Sequence, residues 1–156
     1  MLKFISLTTS KLSKNSKEDI LKLKDTNWKY GIKSQKRHFL KNIKKNDIHN
    51  LIYINKILVG YTLLRNSKLK IKNKKIDYLH FDTIIVRKKF RNQKFSNLLM
   101  FLNNFVIEKN NKKAILYCEK NMINFYKKYN WRRMNAKINF IIKNEHKKII
   151  MKYNFD

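Results

Sequence analysis

Residues 76–118 constrain the fold most. A long β-prone run, Ile76–Val86, passes through a basic turn into a helical repeat, and a short apolar run, Lys113–Cys118 (KAILYC), follows. In the repeat, Phe95, Leu98, Leu99, Leu102, Phe105 and Val106 recur at helical spacing over Phe95–Lys109. Strand, helix and strand in this order predict a right-handed crossover joining two parallel strands. A mixed α/β or α+β domain is therefore expected.

The flanking segments extend this pattern. Lys3–Thr9 reads as a strand, and Ser16–Asp25 as a helix with a serine cap and acidic residues in its first turn. Ser34–Lys45 reads as a second helix. Leu51–Asn55 and Lys56–Arg65 form a hairpin turning near Asn55 and Lys56. Gly60, inside the second run, marks a bulge or a close backbone approach. Asn66–Lys75 is polar and basic and predicts an exposed turn. Met122–Tyr129 is helical, and Lys137–Ile142 and Lys148–Phe155 are final strands around a turn at 144–147. The order is β-α-α-β-β-β-α-β-α-β-β, and the 156 residues suit a single domain, 1–156.

Charge narrows the partners. Lysine and arginine total 38 against 10 carboxylates, a formal net charge of +28. Such a field draws anionic ligands. A basic surface can also reflect an AT-rich coding bias. Aromatic residues at 13% and apolar residues at 43% argue against disorder. Cys118 is the only cysteine, so no intrachain disulfide forms, and a reducing cytoplasm fits. Met1–Ser10 lacks a signal-peptide pattern, and no apolar run approaches a membrane span. A soluble protein, monomer or homodimer, is expected, with no metal site, because His38, His49 and His146 are scattered.

The turn Val86–Ser96 carries the chemistry. Arg87, Lys88, Lys89, Arg91 and Lys94 are basic, and no carboxylate occurs between Asp82 and Glu108. A strand-to-helix turn presents free N–H groups at the helix N-terminus, which suits a phosphate. A basic surface turn is the competing reading.

Val86, Phe90 and Arg91 resemble the cofactor motif of GCN5-related N-acetyltransferases, in which Arg-x-x-Gly-x-Gly/Ala follows the strand. Lys94 and Ser96 stand at the two motif glycines. Asn124-Phe-Tyr-Lys-Lys-Tyr-Asn-Trp131 resembles the family's Phe-Tyr-Glu-Lys-x-Gly-Phe segment, with Asn130 in place of glycine. The resemblance covers about residues 50–135. It implies a central, mostly antiparallel twisted sheet of six to seven strands with about four helices. It also implies an acetyl-CoA-dependent N-acyltransferase acting by direct attack in a ternary complex on a small-molecule or macromolecular amine. The cofactor-binding residues so implied are Ile84, Ile85, Val86, Arg91, Asn92, Gln93, Lys94, Phe95 and Ser96. A side chain at position 94 adds a Cβ where the main chain should approach the pyrophosphate.

By the same resemblance, Tyr126 is the acid for the departing thiolate. Asp82 or His80, two apart on one strand face with Ile84 and Val86, is the base. Main-chain groups at Ile84–Val86 polarise the thioester carbonyl. Cys118 reads as core rather than nucleophile. The charge supports an alternative, a nucleic-acid-binding protein or an acyltransferase acting on an RNA-bound amine such as aminoacyl-tRNA.

Overall fold

The computed structural model describes residues 1–71, 74–134 and 149–155. The elements are β1 (Leu2–Thr8), α1 (Lys14–Asn27), α2 (Ile32–Asn42), β2 (Ile48–Ile54), β3 (Ile57–Ile71) and β4 (Lys74–Val86). They continue with α3 (Phe95–Lys109), β5 (Lys113–Cys118), α4 (Ile123–Lys127), β6 (Arg132–Arg133) and β7 (Ile149–Tyr153). The seven strands make one sheet in the order β1-β2-β3-β4-β5-β7-β6. Only β4 and β5 are parallel; every other neighbouring pair runs antiparallel.

Local chemistry accounts for several boundaries. Asn55 (φ 46°) and Lys56 (φ 69°) both take left-handed backbone, so a two-residue turn closes the β2–β3 hairpin at the Ile54–Ile57 pair. Helix α1 starts earlier than expected, because Ser13 rather than Ser16 is the cap. Its Oγ accepts from the Ser16 N–H at 3.1 Å, and the first turn holds no acidic residue. Helix α2 opens at Gly31 (φ 81°), whose N–H donates to Asp25 Oδ1 at 2.7 Å. Helix α3 and strand β5 have the expected bounds.

The expected turn at Asn66–Lys75 is strand instead. Strands β3 and β4 remain paired from Asn66–Leu79 to Ile71–Lys74. The buried Asp47 carboxylate accepts from the Asn66 N–H at 2.8 Å, and Leu69 packs with Tyr78 and Ile115. Pairing and one apolar anchor outweigh a polar composition. The expected strand Lys137–Ile142 and turn 144–147 lie outside the described residues.

The sheet is covered on both faces. Leu64, Phe81, Met100, Leu116, Trp131 and Met151 pack under α3 and α4. Leu51, Tyr61, Leu63 and Ile85 pack under α1 and α2 with Ile20, Leu23 and Phe39. A Cβ on Gly60 would sit 3.1 Å from Leu99 Cδ1, so this glycine lets α3 approach the sheet, beside a register shift in β3. Cys118 is buried, and burial raises its thiol pKa, in keeping with a core role. Among the described residues, no helix is long and apolar enough to cross a membrane.

Candidate functional site

The sheet opens at the end of β4. Pairing with β5 runs from Tyr78–Lys113 to Phe81–Leu116 and stops there. On the other side, Leu64 pairs with Phe81 but Leu63 pairs with Thr83, so Asp82 is an extra, bulged residue. Beyond the bulge, β4 pairs with β3 alone among the described residues. The Arg87 N–H donates to the Val59 carbonyl at 2.8 Å, which sets the alternation. Ile85 therefore turns its main-chain groups toward β3, and Ile84 and Val86 turn theirs into the gap left by β5.

The bulge also corrects an expected side-chain direction. Plain alternation would put Asp82, Ile84 and Val86 on one face. One extra residue inverts the pattern beyond it. Thr83 joins Asp82 on the α1–α2 side, and Ile85 follows into that core, while Ile84 and Val86 pack with Leu99 of α3.

Strand β4 runs into a tight turn and then α3. Asn92 (φ 64°) and Lys94 (φ 60°) take the left-handed conformation, so Lys94 adopts the backbone that glycine would supply. Its side chain is exposed to solvent. None of the N–H groups of residues 92–96 makes a close main-chain hydrogen bond among the described residues. They form a cradle of donors at the positive end of α3. The Arg91 guanidinium anchors the turn, donating to Asn27 Oδ1 of α1 at 2.7 Å and to the Val86 carbonyl at 3.3 Å. Phe90 and Phe95 meet edge to face at 5.9 Å.

A cavity of about 610 Å³ lies along this edge. Of the nine candidate cofactor residues, Ile84, Ile85, Val86, Arg91, Asn92, Phe95 and Ser96 line it, joined by Asn27, Phe90, Met122 and Phe125. Gln93 and Lys94 do not. The Gln93 amide turns back to the Lys89 carbonyl at 3.3 Å.

A second cavity, about 360 Å³, lies across β4 under α1 and α2, lined by Lys24, Trp28, Tyr30, Ser34, Gln35, His38, Asp82 and Thr83. Asp82 is the one candidate base that lines it. Asp82 Oδ1 pairs with Arg65 at 3.7 Å, and Oδ2 accepts from Thr83 Oγ1 at 3.1 Å. His80 stands outside this lining, edge to face with Tyr117 at 5.1 Å, and burial lowers its pKa. At neutral pH its ring is uncharged. Burial also lowers the Lys24 pKa, against the opposing pull of Asp82. His38 is likewise pushed down, by burial and then by Lys24.

Tyr126 is buried on α4 among Phe81, Phe125 and Trp131, with ring separations of 6.2, 5.1 and 6.4 Å. It lines neither cavity, although its neighbours Met122 and Phe125 face the larger one. Burial and then Cys118 raise its pKa to about 12. Sequence reasoning did not single out Lys24, Trp28, Tyr30, Ser34, Gln35 or Thr83. The one local signal is a lysine and a tryptophan four apart on the helix face that carries Ile20, where apolar residues belong.

No family model and no curated protein matches the chain. Solved structures do. An acyl-CoA N-acyltransferase from Pseudomonas aeruginosa is 12% identical with a TM-score of 0.73, covering 97% of this chain and 99% of that one. Escherichia coli ElaA is 17% identical with a TM-score of 0.72 at the same coverage. The PaiA N-acetyltransferase of Thermoplasma acidophilum, in complex with coenzyme A, is 14% identical with a TM-score of 0.63, covering 99% of each chain. The sheet, its four helices and their order are thus those of the N-acetyltransferase fold.

Proposed function

We propose that this chain, built on the N-acetyltransferase fold, is a GCN5-related N-acyltransferase that takes its acyl group, an acetyl, from coenzyme A. The observation that carries this reading is the continuity of the free β4 edge with the donor cradle at residues 92–96. An acylated pantetheine arm is an extended chain with amide groups, which suits an unpaired strand edge. A pyrophosphate suits unpartnered N–H groups at a helix N-terminus. The cavity of about 610 Å³ joins the two features. Lys94 does not obstruct this arrangement, because its backbone already has the left-handed turn and its side chain is exposed.

The chemistry follows from the two cavities meeting at β4. An amine in the smaller cavity gives its proton to Asp82, directly or through water, and its freed lone pair attacks the thioester carbon. The N–H groups of Ile84 and Val86, turned into the gap, offer donors to the developing oxyanion. The C–S bond then breaks, the nitrogen loses its second proton to give the amide, and the departing thiolate takes up that proton, relayed through water or the Tyr126 hydroxyl. Tyr126 suits a donor role at this step. With a pKa of about 12 its phenol stays protonated. A thiol ionises near roughly 8.5, so the phenol stabilises the thiolate by a hydrogen bond rather than surrendering its proton for long. His80, outside the smaller cavity, suits a supporting position beside Tyr117.

Calorimetric titration with acetyl-CoA tests the reading. Binding that weakens when Ser96 is changed to proline, which removes one cradle N–H, is the expected result. No binding at millimolar acetyl-CoA would overturn it.

A further inference from the structure

Lys24 is 6% exposed, yet it lines the smaller cavity. Lysine is almost never so deeply buried without a partner. Among the described residues its ammonium makes no ion pair and no hydrogen bond. It lies over the face of the Trp28 ring, 5.9 Å from its centre. The carboxylate in the same cavity, Asp82, is already paired with Arg65 at 3.7 Å. The ionisable side chains here are Lys24 and Arg65 against Asp82, one basic group in excess, with burial weighing against the Lys24 charge and His38 held toward its neutral form.

The side chain is buried while its ammonium reaches the cavity, and a cation partly stripped of water with no close counter-ion favours an anion entering there. That anion is not the coenzyme's diphosphate, because the cradle at 92–96 lies in the other cavity and Lys24 does not line it. The two cavities thus hold separate groups suited to an anion, an ammonium in the smaller and main-chain N–H groups in the larger. A volume of about 360 Å³ falls at the small end of ligand sites, roughly 300–1,000 Å³. Trp28 and Tyr30 offer apolar surface for a short spacer between two charged ends.

We propose that the acceptor is a small zwitterionic amine, whose ammonium meets Asp82 and whose carboxylate or phosphate meets Lys24. This inference rests on the acyltransferase reading for its reaction and on the buried lysine for its specificity.

The test compares primary amines with and without the anionic end: γ-aminobutyrate against propylamine, and phosphoethanolamine against ethanolamine, by thiol release from acetyl-CoA. The anionic member of at least one pair should exceed its neutral partner in kcat/KM by about tenfold or more, the scale of a charge-assisted hydrogen bond. The pair that shows this identifies the anion. Lys24→Met, apolar and of similar length, should bring that ratio toward one. Lys24→Arg should retain much of it. A wild-type ratio at or below one in both pairs, or an equal loss for both members in Lys24→Met, overturns the proposal. If acetyl-CoA itself fails to bind, the enzymatic reading falls separately. Calorimetry of γ-aminobutyrate and phosphoethanolamine alone then decides the pocket: binding lost in Lys24→Met supports it, and no binding to the wild-type protein sinks it.

Discussion

The two cavities beside β4 are built in opposite ways. The larger draws eight of its lining residues from the contiguous stretch 84–96, and its main feature is main chain: a strand edge and N–H groups without close main-chain acceptors among the described residues. The smaller takes side chains from α1, from α2 and the turn before it, and from the bulge in β4, and its character depends on which side chains those are. A main-chain site tolerates substitution as long as the backbone dihedrals survive, and Lys94, with φ 60°, keeps a left-handed backbone that glycine adopts most readily. A side-chain site changes chemistry with each replacement. The contrast explains how a fold can keep one ligand while its second varies.

The comparison predicts separable effects. The largest is Asp82→Asn, which should cut turnover by about a thousandfold while calorimetric affinity for acetyl-CoA holds. A parallel loss of affinity would mean that the two sides are not independent. Tyr126→Phe should lower turnover by roughly a hundredfold, again with affinity held. Unfolding in urea for each variant separates a catalytic role from a structural one.

Acid should strain the α2 side of the sheet through His49, which stacks on Phe39 of that helix. This residue is fully buried, stacks between Phe39 and Tyr61, and hydrogen-bonds Thr9 Oγ1 at 2.8 Å and the Tyr61 hydroxyl at 2.9 Å. Burial, then Lys24 and Lys17, lower its pKa from 6.5 to about 4. Above pH 6.5 both folded and unfolded chains hold it neutral, and its contribution is intact. As pH falls toward 4, the unfolded chain takes up a proton that the native one refuses, and stability is lost. Between pH 7 and 4.5 the wild-type protein should lose about 2 to 3 kcal/mol more than His49→Gln, measured by urea unfolding.

The smallest effect belongs to the loop. Lys94→Gly relieves a left-handed conformation that costs an L-residue roughly 1–2 kcal/mol, offset by about 0.5–1 kcal/mol of chain entropy. The variant should gain up to about 1 kcal/mol in urea unfolding and bind acetyl-CoA much as before. A large gain in affinity would mean that the lysine side chain does obstruct the cradle.

Much of this fold was legible from local pattern. The bounds of α3 and β5 and the Asn55-Lys56 turn depend on neighbours a few positions away, whereas Gly60 signalled a close approach whose partner, Leu99, only the fold supplies. The extension of β3 and β4 through 66–71 and 74–75 was not legible, because Asp47 and a paired strand stabilise residues whose own composition suggests a turn. Ser13 rather than Ser16 as the cap was a near miss between two serines that can each accept a helix N–H.

By itself the sequence determined where a strand becomes a basic turn and then a helix, since periodicity and composition act within one or two turns of chain. Only the tertiary structure decided which way Asp82, Thr83 and Ile84 point and that the Lys24 side chain is buried with no ion pair among the described residues. The bulge at Asp82 lies where pairing with β5 ends while pairing with β3 continues, and it reverses every side chain beyond it. That shift depends on two strands distant in sequence, so no local pattern in β4 could have shown it.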